Sequence, residues 1–278
     1  MMKNKMDSYK RKCKEANEEL IERLNDRIYW KPTLNVFKRR LEKIKKEKQI
    51  SEKRALIIIL DHLKEIMYDS SRGVGKIINE RFKQGEIEDK GQVSVAVAGN
   101  NFQALIAYVL ARNIMIGNLP PLIVTLKPKK DPILEKYATI NVGGEIQKPD
   151  VDIMIHSLDE EKPIIIISCK TSLRERAGQT YKWKLLIDFA TTECKYVEES
   201  EECPIHKYEL KYDKKRKVLV GFITADFYNE INSPQQQGML KFFDFCYVAN
   251  AEEIRSKYVK RLSEIVDDLR GIFGDREI

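Results

Sequence analysis

The chain has 278 residues, of which 42% are hydrophobic, so it can form a substantial core in one large domain or two smaller ones. This composition excludes a chain that is mainly disordered, collagen-like or of low complexity. The longest apolar runs, residues 55–60 and 163–167, are far shorter than the roughly 20 residues of a membrane span, and the amino-terminal sequence lacks the apolar segment of a signal peptide. We therefore expect a cytoplasmic protein with no membrane partner.

The positive charge is concentrated at the amino-terminal end. Residues 1–50 contain 16 Lys and Arg against 8 Asp and Glu, whereas the rest of the chain is close to neutral. A basic segment on a neutral body is typical of a protein with a polyanionic partner. The five cysteines and three histidines are scattered without a C-x-x-C pair, so we expect reduced thiols and neither a zinc site nor a disulfide framework.

The first third of the chain predicts helices. Apolar residues three and four apart indicate an amphipathic helix over residues 34–44, after Pro32. Ser51 is a favourable N-cap for a helix that continues to Met67, and Asn100 is predicted to begin a further helix. The Lys- and Arg-rich faces of these helices are either a solvated surface or a contact with phosphates or a partner subunit.

From about residue 140 the pattern changes to that of strands. Apolar residues at 151, 153 and 155 alternate with polar residues at 150, 152 and 156, which predicts a half-buried strand. The polar turn 158–163 then precedes a continuous β-branched run at 164–167. Further strands are predicted at 217–225 and 245–248, with helices near 185–190 and 258–269. We therefore predict a helical amino-terminal domain over residues 1–90, used for dimerisation or DNA contact, and a mixed α/β catalytic domain over 91–278.

Two short segments carry the candidate chemistry, Pro149-Asp150 and Ser168-Cys169-Lys170. If the two strands pair as an antiparallel hairpin about residue 160, inside the polar turn, Asp150 lies opposite Lys170 at the open end. Such a pair suits phosphodiester hydrolysis: Asp150 and the backbone carbonyl of Cys169 hold Mg²⁺, and Lys170 orients or deprotonates a water. The alternative is an ordinary strand start and a solvated lysine.

The residues after Lys170 favour the nuclease interpretation over an ordinary strand start and a solvated lysine. The run SCKTSLRERAGQTYKWKLL, residues 168–186, resembles the PD-(D/E)xK type II restriction endonucleases, in particular the branch that recognises CCGG, and within it the BsaWI group. This resemblance covers about residues 149–190. It implies a restriction-endonuclease-like core with a central mixed β-sheet flanked by helices, and Mg²⁺-dependent cleavage of double-stranded DNA at a palindrome with a CCGG core, WCCGGW being one form. It also implies a homodimer, with a higher assembly left open, and a methyltransferase of the same system as functional counterpart.

The triplet Arg174-Glu175-Arg176 matches the chemistry of a CCGG site. An arginine can donate to both O6 and N7 of a guanine in the major groove, and a carboxylate can accept from the N4 amino group of a cytosine. The resemblance implies that Arg174 and Arg176 read the guanines and that Glu175 reads the cytosines. The alternative is a charged helix start whose side chains pair among themselves.

The sequence departs from the family pattern at the second metal ligand. Ser168 stands where the generic motif has Asp or Glu. The CCGG branch commonly supplies a glutamate from the next helix, but that region here holds lysines and a tryptophan, and the nearest later acids are Asp188 and Glu193. With Asp150 as the one firm carboxylate ligand, a one-metal mechanism is favoured.

The family also takes a glutamate from an early helix of the core. Glu80 is one candidate for that position, and a second alignment places Gln103 there. Both residues are candidates for either a catalytic or a structural role.

The sequence is also compatible with two other functions. One is a repair or junction-resolving nuclease of the same fold that recognises DNA shape, and the other is a non-enzymatic DNA-binding protein such as a methylation-sensing regulator. The triplet at 174–176 favours the restriction endonuclease, because a shape reader has no need of a paired guanine and cytosine code.

Overall fold

The structure is a computed structural model, and it describes residues 2–173, 176–191, 203, 207–212, 216–250 and 254–274. The amino-terminal part is helical, as predicted. Its helices are α1 (Met2–Asn25), α2 (Trp30–Lys48), α3 (Glu52–Ile58), α4 (Leu63–Lys83) and α5 (Lys90–Met115).

The remaining part alternates strands with shorter helices. Its strands are β1 (Ile123–Leu126), β2 (Ile140–Val142), β3 (Glu145–Gln147), β4 (Ile153–His156), β5 (Ile164–Lys170), β6 (Leu210–Lys211), β7 (Val218–Thr224), β8 (Phe245–Val248) and β9 (Lys260–Arg261). Its helices are α6 (Pro132–Tyr137), α7 (Arg176–Thr191), α8 (Pro234–Leu240) and α9 (Ile265–Phe273).

A mixed sheet organises this part of the molecule. Its six described strands lie in the order β1-β4-β5-β7-β8-β9. The pairs β1/β4 and β4/β5 are antiparallel, and the pairs from β5 to β9 are parallel. Strands β3, β2 and β6 form a second, smaller antiparallel sheet. The predicted class, mixed α/β with a central sheet flanked by helices, is confirmed.

Helices cover both faces of the large sheet. On one face, Leu24 of α1, Phe37 of α2 and Phe102 of α5 share a core with Ile153 and Ile165 of the sheet. On the other face, side chains of α6, α7 and α8 pack against alternate residues of the same strands, among them Met154 and Ile166. The first core contains residues from both sides of the predicted domain boundary between residues 90 and 91. The division into two domains at that boundary stays a prediction.

Burial on both faces corrects the prediction of a half-buried strand. All four residues of β4 are buried, because helices cover the side of the sheet that the alternation had assigned to solvent. Of the polar residues in that alternation, Asp150 and Asp152 precede the strand, whereas His156 lies within it and is buried.

The helix boundaries also differ from the sequence prediction in three places. Ser51 does cap α3, since its hydroxyl accepts from the Arg54 backbone N–H, but a 3₁₀ turn at Ile59–His62 interrupts the predicted helix. Asn100 lies in the middle of α5 rather than at its start, because Asp89 supplies the cap by accepting from the Gln92 backbone N–H at 3.0 Å.

Near the carboxyl-terminal end, the helix predicted over 258–269 begins only at Ile265, after β9 and a 3₁₀ turn.

Within the described residues, α5 alone is long and apolar enough to cross a bilayer by length and composition, and 61% of its apolar window is buried in the structure. The described cysteines, Cys13, Cys169, Cys203 and Cys246, are free.

Candidate active site

The β4–β5 hairpin has the register that the sequence predicted. Ile153 pairs with Ile167 and His156 pairs with Ile164, so the centre of the hairpin falls at residue 160. Continued beyond the ladder, this register places Asp150 across from Lys170, the last residue of β5. The Lys170 Nζ atom is 3.9 Å from Asp150 Oδ2, so the two candidate residues do meet.

A second carboxylate, that of Asp152, lies at the centre of the site. Its Oδ2 atom accepts from the Cys169 backbone N–H at 2.7 Å, from Lys170 Nζ at 3.1 Å and from Ser168 Oγ at 3.4 Å. Asp152 is only 7% exposed. Asp152 is not among the site residues predicted from the sequence, although the predicted register already placed it opposite Ser168 and on the same strand face as Asp150.

Gln103 of α5 completes the surroundings of Asp152. Its Nε2 atom donates to Asp152 Oδ1 at 2.7 Å, while its Oε1 atom is buried and has no hydrogen-bond partner among the described residues. Of the two early-helix candidates, Gln103 is therefore the one at the site. Glu80 is exposed near the end of α4, and no hydrogen bond or ion pair of the described residues joins its carboxylate to Asp150, Asp152 or Lys170.

Asp188 belongs to a different part of the molecule. It forms an ion pair with Lys184, which also lies 3.4 Å from Asp244, and Asp244 accepts from the Val220 backbone N–H. Val220 pairs with Ile166 of β5. Ile166 precedes Lys170 by four residues, which corresponds to about 13 Å along the strand. The contacts described for Asp188 do not include Asp150, Asp152 or Lys170, and Glu193 lies outside the described residues.

The candidate base-reading triplet follows the site directly in the chain. Arg174 and Glu175 lie outside the described residues, and Arg176 is the first residue of α7. The preceding segment is anchored, because Leu173 is fully buried and the Thr171 carbonyl accepts from the Phe227 backbone N–H at 3.1 Å. The chain thus passes from Lys170 to α7 within six residues.

The site's oxygen atoms fit a hard divalent cation. The Asp150 side chain is half exposed, Asp152 lies beside it, and the buried Gln103 Oε1 atom lacks a donor. The Cys169 N–H group donates to Asp152 instead of to a neighbouring strand. In a β-strand the N–H and C=O groups of one residue point to the same side, so the Cys169 carbonyl also faces the site. Carboxylate, amide and carbonyl oxygens are the ligands that Mg²⁺ and Ca²⁺ prefer.

The Cys169 thiol is unsuited to the same task. Its side chain lies on the opposite face of β5, in the core with Ile165 and Ile167. Burial, with the neighbouring Asp152 carboxylate, raises the pKa of this thiol well above its ordinary value, so it stays protonated at neutral pH. Among the described residues, no cluster of three or more His, Cys, Asp or Glu side chains is placed to hold a metal, so a metal at this site would have to rely on two carboxylates with backbone and amide oxygens.

The fold is that of the restriction-endonuclease-like nucleases. The chain superposes on the restriction endonuclease PspGI, solved as a complex with substrate DNA, with a TM-score of 0.51 at 12% identity, over 88% of this chain and 94% of that chain. Residues 128–270, half of the chain, match the family model described as BsaWI restriction endonuclease type 2. The chain therefore belongs to the BsaWI restriction endonuclease family and is a nuclease that acts on DNA. No curated protein sequence matches it.

Proposed function

We propose that the chain is a type II restriction endonuclease that hydrolyses double-stranded DNA at a palindrome with a CCGG core, with Mg²⁺ as cofactor and as a homodimer. The observation that carries this proposal is the meeting of Asp150, Asp152 and Lys170 at the open end of one hairpin. Family membership and the substrate DNA bound to the PspGI neighbour support duplex DNA as the substrate.

The residues that would hold Mg²⁺ are Asp150, Asp152, Gln103 and the backbone carbonyl of Cys169. When bound, the ion supplies a water of lowered pKa and neutralises negative charge on the phosphate. Asp150 is the more open carboxylate, whereas Asp152 is held by four hydrogen bonds and fixes the geometry. A single ion is the natural complement of this set, since just two carboxylates are present at the described site.

Lys170 is placed to handle the water and the phosphate. Its ammonium group has three N–H donors, one of which bonds to Asp152 Oδ2 at 3.1 Å while Asp150 Oδ2 lies 3.9 Å away. The side chain is 12% exposed, so the two carboxylates hold the ammonium in one position. A remaining donor orients the attacking water or pairs with the charge on the phosphate.

Sequence recognition is assigned to the triplet next to the catalytic strand. Arg174 and Arg176 would donate to guanine, and Glu175 would accept from cytosine. These residues follow Lys170 by four to six positions, so base recognition and cleavage would depend on one short segment of the chain. The domain over residues 1–90 would contribute the dimer contact or phosphate contacts, and a palindromic site calls for two copies related by a two-fold axis.

Affinity measurements on paired DNA duplexes test this assignment. Arg174→Ala should weaken binding to a duplex with TCCGGA by roughly 5- to 150-fold, since one bidentate contact contributes about 1–3 kcal/mol of discrimination. Binding to a duplex without CC:GG should change little at the same salt concentration. Lys43→Ala, on the basic face of α2, is the control and should either have no effect or weaken both duplexes together.

Equal losses on both duplexes would make the triplet a phosphate clamp and would contradict the CC:GG assignment. Glu175→Gln should recover only part of what Glu175→Ala loses, because an amide oxygen accepts one bond but carries no charge.

A further inference from the structure

A chain of buried hydroxyl groups connects α7 to the central carboxylate of the site. Thr180, in the second turn of α7, is 5% exposed, and its Oγ1 atom is 2.9 Å from Ser168 Oγ. Ser168, on β5, is 2% exposed, and its Oγ atom is in turn 3.4 Å from Asp152 Oδ2. The hydroxyls therefore link a helix, a strand and the carboxylate in one continuous path.

The chemistry of the three groups fixes the direction of this path. An ionised carboxylate only accepts hydrogen bonds, and each hydroxyl carries a single proton. The Ser168 proton is therefore donated to Asp152, which leaves the Ser168 oxygen as an acceptor, and Thr180 must donate to it. Both hydroxyls are buried, so losing the Thr180 hydroxyl leaves the Ser168 oxygen without a hydrogen-bond donor among the described residues, although Ser168 can still donate to Asp152.

The other partners of Asp152 lie elsewhere. Cys169 and Lys170 are on β5, and Gln103 is on α5. Within the described contacts, the Thr180–Ser168 pair is thus the one hydrogen-bonded route from α7 to Asp152. The same helix begins at Arg176, one turn before Thr180, so it carries a residue of the proposed base-reading triplet.

We infer that Thr180 is a positioning residue that couples the seating of α7 on DNA to the placement of the Asp152 carboxylate. The inference rests on the proposed function. When α7 is correctly seated, Thr180 donates to Ser168 and Ser168 holds Asp152 Oδ2. When α7 is displaced, Ser168 loses the donor that orients its hydroxyl, so one of the four contacts of the carboxylate is no longer held in place.

The test compares variants on a DNA site that the wild-type protein is first shown to cut, beginning with a TCCGGA duplex. Thr180→Val removes the hydroxyl at nearly constant shape, with Thr180→Ala as a second variant, and Thr180→Ser retains the hydroxyl. Thr191→Val is the matched control, because the Thr191 hydroxyl donates within the same helix to the Ile187 carbonyl. Single-turnover cleavage is measured at saturating protein over a Mg²⁺ series, and affinity is measured without metal.

We expect Thr180→Val to cut roughly 2- to 12-fold more slowly, the equivalent of one buried hydrogen bond, with affinity within about twofold of wild type. Thr180→Ser should restore the rate, and Thr191→Val should leave it unchanged. Because the path is serial, adding Thr180→Val to Ser168→Ala should slow cleavage no further than Ser168→Ala alone.

Wild-type rates for both Thr180→Val and Thr180→Ala would overturn the inference, as would full additivity in the double variant or an equal loss from Thr191→Val. A wild-type protein that cuts no DNA with Mg²⁺ would instead overturn the proposed function.

Discussion

Replacing Asp152 by asparagine separates the charge of this carboxylate from its hydrogen bonds. Three donors converge on Oδ2, from Ser168, Cys169 and Lys170, and the single oxygen of an asparagine can take the same place. The new amide N–H₂ group then faces Gln103, whose Oε1 atom has no hydrogen-bond partner within the described part of the chain. A flip of the Gln103 amide presents that oxygen to the new donor, so the number of hydrogen bonds is kept.

The cost of Asp152→Asn is therefore the lost attraction to the Lys170 ammonium. Both side chains are about nine-tenths buried, and removing one partner of a buried pair typically costs about 3–5 kcal/mol. Asp150 still lies 3.9 Å from the ammonium and compensates in part, so we expect a smaller loss of stability, about 1–3 kcal/mol. Asp152→Ala should cost more, because it leaves all four donors without an acceptor.

Cleavage should respond far more strongly than stability. Loss of the charged oxygen from the site should slow single-turnover cleavage at least about a hundredfold, while affinity for the cognate duplex stays near that of wild type. Urea unfolding, cleavage and affinity are measured on the same preparations. Asp188→Asn is the control, since that acid is held by Lys184 and should remain dispensable for cutting. An Asp152→Asn protein that cuts at the wild-type rate would refute this account of the site.

Further predictions concern neighbouring residues. Asp150→Ala and Lys170→Ala should each abolish cleavage in a Mg²⁺ digest and leave cognate binding intact, and normal turnover by either would remove that residue from the site. Gln103→Ala should raise the Mg²⁺ concentration needed for half-maximal cutting by roughly 10- to 100-fold, whereas Glu80→Ala should leave it unchanged; the reverse ranking would contradict the geometry. Burial lowers the pKa of His156, so the unfolded chain protonates this residue first and stability falls as the pH drops through about 6.5, by at most about 1.4 kcal/mol per pH unit. His156→Gln should flatten that dependence in urea unfolding between pH 5.5 and 7.5, and an unchanged slope would exclude His156 as its source.

The hairpin was predictable because its determinants are local. The turn at 158–163 and the β-branched run after Pro163 set the register, and the register brings Asp150 to Lys170. Strands β7 and β8 were recognisable for the same reason, since each is a short apolar run between polar turns.

The rest of the site depends on contacts between distant parts of the chain. The alternating pattern predicts that Asp152 is a solvent-facing polar residue of a half-buried strand. Its burial depends on the helices that pack on both faces of the sheet, which the local sequence does not show. Gln103 reaches it from a helix 49 residues earlier, whose start the sequence placed at Asn100 instead of after the Asp89 cap. The link from Thr180 to Ser168 likewise requires the position of α7 on the sheet.

Digestion of a DNA of known sequence with Mg²⁺, followed by sequencing of the ends, tests the central claim most directly. The account predicts discrete fragments whose ends all fall at palindromes with a CCGG core, and no fragments when the metal is removed by chelation. Ends scattered over unrelated sequences would indicate a nuclease that recognises DNA shape. Retention of DNA without Mg²⁺-dependent cutting would contradict the account altogether.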